Sequence, residues 1–142
     1  MKLRKKIFQN NQNYFLESDN DITQGSHFKW YKNYYNEQRI DYLIFEKIKK
    51  KYIGSLHFKS NKYGKAEMGK FISDPKLRGQ KYGFEASIKW IEFGKKKLHF
   101  EKIYAITSVE NVINIKLNNK LGFRKIENHD HKGNKWVKMV YS

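Results

Sequence analysis

The spacing of apolar residues changes several times along this chain, and each change marks an element. Residues 2–17 are weakly helical. A second helix is expected within 21–35, where Ile22 and Thr23 lead in and Phe28, Tyr31 and Tyr35 share a face. Three strands follow. Residues 41–46 are apolar and rich in β-formers. Residues 51–59 alternate, with Tyr52 and Leu56 on the apolar register and Gly54 interrupting it. Residues 66–73 lead into a turn at Pro75, and 60–65 read as a hairpin loop. The longest helix is expected at 78–98, with Phe84, Ile88, Ile91 and Leu98 as its apolar stripe and Lys89 and Lys95 to Lys97 toward solvent. A strand at 102–109 and a short helix at 112–121 come next. That helix carries Ile113, Leu117 and Leu121 four residues apart, with Gly122 suited to the position after its end. Closing strands at 123–126 and 135–141 flank a turn at 128–134. The order α-α-β-β-β-α-β-α-β-β defines a mixed α/β (α+β) domain with one central sheet.

At 142 residues the chain is long enough for one substantial core, and 1–142 is read as a single domain. One proline, no Ser/Gly-rich linker and no repeat support that reading. With no cysteine there is no disulfide, thiolate nucleophile or Cys-based metal site to consider. The first ten residues are basic but lack the apolar run of a signal peptide, and no segment is long enough to span a bilayer. A soluble, cytoplasmic protein is expected. The net charge of +16 invites a nucleic-acid reading. Against it, the basic residues are overwhelmingly Lys and spread along the chain, with Arg only at Arg4, Arg39, Arg78 and Arg124, although base recognition favours the Arg fork. The positive surface suits small anionic ligands instead.

Two segments carry chemistry. In 71–83, Phe-Ile-Ser-Asp-Pro-Lys-Leu-Arg-Gly-Gln-Lys-Tyr-Gly, a strand end runs through a Gly-punctuated turn into a helix. Such a turn aims backbone N–H groups and a positive helix end at one point, which suits phosphate. In 111–123, Asn-Val-Ile-Asn-Ile-Lys-Leu-Asn-Asn-Lys-Leu-Gly-Phe, a strand end passes through a short helix into a Leu-Gly-Phe turn. In this order and spacing the pair resembles the acetyl-coenzyme A signature of the Gcn5-related N-acetyltransferase (GNAT) superfamily, over about residues 14–141. The resemblance implies a central, mostly antiparallel mixed sheet flanked by helices, with acetyl-CoA as co-substrate and direct acetyl transfer to a primary amine. These proteins usually begin with a strand before the first helix, whereas this chain is expected to start at that helix: the strand is missing, trimmed away, or supplied by a neighbouring chain.

Carried over residue by residue, the resemblance implies that Phe71, Ile72 and Ser73 form the splayed strand whose backbone pairs with the pantetheine arm. A backbone N–H there would polarise the thioester carbonyl. Arg78, Gly79, Gln80, Lys81, Tyr82 and Gly83 match the pyrophosphate loop, with Lys81 in place of its central glycine. Asn111 matches an Asn that hydrogen-bonds the coenzyme arm. Asn118 stands where many members carry a Tyr that protonates the departing thiolate. An amide is no acid, so Asn118 would orient the sulfur or a water. An attacking amine must lose a proton, and Glu67 is the preferred base, with His57 second. His99, His129 and His131 show no metal-ligand spacing, the last two being read as a solvated turn, and no metal is expected.

The segment Ile22-Thr23-Gln-Gly-Ser-His27-Phe-Lys-Trp30-Tyr31 narrows the resemblance to amino-sugar acetyltransferases. The nearest group is the UDP-4-amino-4,6-dideoxy-N-acetyl-altrosamine N-acetyltransferases of pseudaminic acid biosynthesis. His27, Trp30, Tyr31 and His57 would then contact a nucleotide-linked sugar, and a homodimer is compatible with this reading. The same helix occurs in spermidine and ribosomal-protein N-terminal acetyltransferases, which keeps a protein N-terminus, a lysine or a polyamine open as acceptor. A non-catalytic CoA- or nucleic-acid-binding protein on the same scaffold is the third alternative.

Overall fold

The computed structural model describes residues 23–34, 36, 38–60 and 63–142. The elements are α1 (Gln24–Asn33), β1 (Arg39–Glu46), β2 (Lys51–Ser60), β3 (Lys65–Ile72), a 3₁₀ turn (Pro75–Leu77), α2 (Tyr82–Lys96), β4 (Lys102–Ser108), α3 (Val112–Lys120), β5 (Arg124–His131) and β6 (Asn134–Tyr141). The six strands form one sheet in the order β1-β2-β3-β4-β6-β5. The helix expected at 2–17 and any initial strand lie outside the described residues.

Each neighbouring pair is antiparallel except β3 and β4, which run parallel. A parallel pair needs a crossover, and α2 supplies it. The parallel ladder is short. It joins Lys65 to Lys102, Ala66 to Ile103 and Glu67 to Tyr104, and no further rung follows. Both strands continue beyond it, β3 to Ile72 and β4 to Ser108, so the sheet is open between them from Met68 and Ala105 onward.

The core lies on one face, where Phe58, Met68, Trp90, Ile91, Ile103, Ala105 and Met139 meet. Phe58 stacks on Trp90 at 4.6 Å between centroids, so α2 is clamped across β2. Gly94 lets the helix approach: a Cβ there would sit 2.7 Å from the Phe58 ring. The apolar stripe of α2 is rotated from the expected one. Trp90, Ile91, Ser87 and Gly94 are buried while Ile88 is exposed, because the small residues Ser87 and Gly94 let the backbone settle on the sheet. In α3 likewise, Leu121 and Leu117 face inward but Ile113 is exposed, and the fully buried position is Asn118. Tyr52, placed on the inner register by alternation, is exposed, and Ile53 is buried instead. A register shift between Ile44 and Phe45 near Gly54 moves the alternation by one residue.

The 128–134 turn is also corrected. β5 runs to His131 and only Lys132 and Gly133 turn, both at positive φ (51° and 79°), the two-residue form that matches strand twist. His129 and Asp130 are therefore strand residues, paired with Trp136 and Lys135. The expected Gly122 position is as read. Gly122 (φ 98°) follows α3, its N–H donates to Asn119 and that of Phe123 to Asn118, which satisfies two end carbonyls.

Candidate active site

Three elements converge on the lip of the opening. β3 ends at Ile72; Ser73 is buried, and its N–H and hydroxyl both donate to the Ile53 carbonyl, at 2.7 and 2.9 Å. Those two bonds fasten the strand end to β2. The chain then turns through Asp74, whose carboxylate accepts from the Lys76 N–H, and the buried Leu77 anchors the turn. Gly79 takes φ 78° with nothing within 4 Å of a would-be Cβ, so glycine is there for its backbone and not for space. Lys81 caps α2 at φ 65° without a side-chain hydrogen bond. The expected helix start at residue 78 thus moves to Tyr82, because 78–81 form the turn. Gly83 lies in the first turn of α2. A Cβ on it would be 3.8 Å from Leu117 of α3 and 3.9 Å from Ile72 of β3. The N–H groups of the first turn of α2 have no helical partner and face this junction with the positive end of the helix dipole.

On the far side of the opening, the Asn111 carbonyl oxygen accepts from the Asn114 N–H at 3.2 Å and caps α3. The Asn114 amide donates to Thr107 of β4 at 3.0 Å. Asn118, wholly enclosed, has its amide near Thr107 Oγ1 (3.4 Å) and Met139 Sδ (3.8 Å). Its carbonyl oxygen accepts from Lys70 Nζ at 2.5 Å. Lys70 belongs to β3, so this bond bridges the opening. Burial holds the Lys70 ammonium down from the usual 10.5 to about 8. Lys70, Thr107 and Asn114 were not expected from the sequence. Strand parity carried the signal for Lys70: it continues the inward series Ala66, Met68, where an apolar residue belongs.

The other face of the sheet holds the remaining expected residues. Glu67 lies in a cleft of about 420 Å³ with Lys59, Lys65, Tyr104, Ile106 and Lys138. Lys138 reaches over the Tyr104 ring at 5.0 Å and pairs with Glu127 at 3.4 Å. His57 is buried beneath Gly69 and stacked with Phe71. Burial, with Arg39 and Lys59 nearby, pushes its imidazole from 6.5 to about 3, so it is neutral and any contact it makes is with an uncharged ring. In α1 the expected face is corrected. Phe28 and Tyr31 are exposed, whereas His27 stacks on Trp30 and Tyr34 meets Trp30 edge-on. Arg39 lies 5.7 Å from the Trp30 ring and pairs with Asp41, and the Asp41 N–H donates to the Tyr34 hydroxyl. These contacts seat α1 against β1, with Tyr31 on its outer side. Tyr35 lies outside the described residues.

Among the described residues no His, Asp and Glu side chains gather in a metal-binding group of three or more. No helix among them is long and apolar enough to cross a membrane.

A sheet opened beside a glycine turn and a capped helix defines the GNAT class of acyltransferase. The comparisons agree: the acetyltransferase (GNAT) domain model matches residues 6–124, and the chain belongs to that family. Its fold is similar to that of spermidine N-acetyltransferase from Vibrio cholerae in complex with CoA and spermine. The TM-score is 0.82 at 16% identity, over 97% of this chain and 85% of that one. A domain from Methanocaldococcus jannaschii DSM 2661 aligns with TM-score 0.80 at 19% identity, over 98% of this chain and 89% of that one. No curated protein matches.

Proposed function

We propose that this chain transfers the acetyl group of acetyl-CoA directly to a primary amine. The observation that carries the proposal is the opening between β3 and β4, with the α2 N-terminus at one lip and α3 at the other. The pyrophosphate would lie over 79–83, and the pantetheine arm would run along β3 past Ile72. The acceptor would reach the thioester from the opposite face, where Glu67 lines the cleft and can take the amine proton, directly or through water. Holding the two reactants in line supplies much of the rate.

Two acceptors have support. Similarity to spermidine N-acetyltransferases favours a polyamine. The charge of the cleft, three lysines around one Glu67, favours an amine on an anionic carrier such as a nucleotide-linked amino-deoxysugar. The narrower likeness to the pseudaminic acid enzymes rests on the segment Ile22-Thr23, His27 and Trp30-Tyr31.

Thermal shift with acetyl-CoA tests the first step, with Gly83→Asp as control. An added Cβ meets Leu117 and Ile72 at ordinary contact distance, so the variant should fold yet lose the stabilisation by placing a carboxylate at the phosphate. Undiminished stabilisation would refute the cofactor placement. Free-thiol release with spermidine, an N-terminal peptide and a UDP-linked 4-amino sugar then decides the acceptor.

A further inference from the structure

We infer that Lys70 is the proton donor to the departing thiolate, the catalytic acid that Asn118 cannot be. The inference rests on the reading of the opening as the thioester site. Lys70 shares the inner face of β3 with Ile72, two residues from the lip, which is about 7 Å along a strand. An arm entering over the α2 N-terminus and following β3 inward therefore passes Ile72 and next meets the Lys70 ammonium. That group has three donors. One goes to Asn118, and among the described residues no other acceptor is bonded to it. The side chains placed beside it carry no charge: Leu56 opposite it on β2 and Asn118 on α3, which itself donates to Thr107 of β4. Burial alone accounts for its lowered affinity for protons, and no carboxylate holds the proton in place. Asn118, pinned between Lys70, Thr107 and Met139, fixes where the ammonium sits.

The step balances. The amine nitrogen bonds to the acetyl carbon, the tetrahedral adduct collapses, and the C–S bond breaks with both electrons passing to sulfur. Lys70 gives sulfur a proton, leaving CoA as its free thiol and Lys70 as a neutral amine. The amine acceptor has lost one proton to base or water, and Lys70 regains one from solvent. A donor near pH 8 is matched to an alkyl thiol, which titrates at about 8.5. At neutral pH Lys70 is mostly ammonium and ready to give.

The test needs no knowledge of the acceptor. Coenzyme A is titrated onto wild type, Lys70→Met and Lys70→Arg by calorimetry, and the thiol of bound CoA is titrated by thiolate ultraviolet absorbance. The bound thiol should titrate about one pH unit or more below free CoA in wild type and return to the free value in Lys70→Met. With any amine that wild type accepts, Lys70→Met and Lys70→Arg should both lose ~10²–10⁴ in kcat, with CoA affinity kept, because Arg keeps the charge but not the transferable proton. The basic limb of the wild-type profile near pH 8 should vanish with them. Failure of wild type to bind CoA would overturn the thioester reading itself. CoA binding with an unshifted thiol in wild type, or Lys70→Arg retaining more than about a tenth of kcat, would overturn the role of Lys70 alone.

Discussion

His57 on β2 is buried and Lys70 on β3 half-buried, on opposite faces of the sheet, and both oppose folding in their charged forms. The His57 pKa is lower folded than unfolded, so the unfolded chain binds more protons below pH 6.5. Its stabilising contribution is complete above 6.5 and declines as pH falls toward 3, by about 1.4 kcal/mol per unit. His57→Phe should therefore flatten the acid limb of a stability–pH curve measured by urea unfolding; parallel limbs in the two proteins would refute the assignment. Gly69→Ala should be severe, on the order of 3 kcal/mol, because the new Cβ would lie 2.0 Å from the His57 ring. Restored stability in Gly69→Ala/His57→Ala would confirm that contact. Lys70 works in the other pH range. Between about 8 and 10.5 the unfolded chain holds the extra proton, so stability rises with pH there. Replacing the buried polar pair, Lys70→Met/Asn118→Leu, should raise stability at neutral pH by about 1–3 kcal/mol while abolishing turnover. A lower denaturation midpoint would show that the pair is structural. Neither buried group announces its burial in sequence. A lone His or Lys in an alternating strand has a determinate face only once the register is known.

At the scale of elements, most of the fold was legible. Strand runs, the long helix and the Leu-Gly-Phe stop each carry their own local chemistry. The errors arose where neighbours overrode that chemistry. Ser87 and Gly94 turned α2 about its axis, a register shift reversed Tyr52 and Ile53, and Lys132-Gly133 made a tighter turn than the polar run implied. Motif reading located the glycine turn, Asn111 and Asn118, yet it could not pair Asn118 with Lys70, 48 residues away. The start of α2 offers its own test. Lys81 holds a left-handed conformation that disfavours residues with a Cβ. Lys81→Gly should stabilise the fold by about 1 kcal/mol, seen as a higher denaturant midpoint. No gain would mean that Lys81 makes a contact in solution that offsets its strain.

For the whole molecule, charge and topology have separate consequences. A protein of net charge +16 should draw an anionic cofactor from a distance, so the association rate of CoA should fall steeply as salt rises from roughly 0.01 M to 1 M. An association rate indifferent to salt would confine the useful charge to direct contacts. The three-rung seam between β3 and β4 divides the sheet into two sets, each contiguous in sequence: β1–β3 before the glycine turn, and β4–β6 after it. α2 belongs to the second set by chain but lies on the first through Trp90 and Phe58. The molecule is therefore a natural pair of interlocking fragments. Cut between Gly79 and Gln80, two separately expressed pieces should find each other through that aromatic clasp. Reassembly would form the opening anew at the joint, so an enzyme activity would report the meeting of two polypeptides.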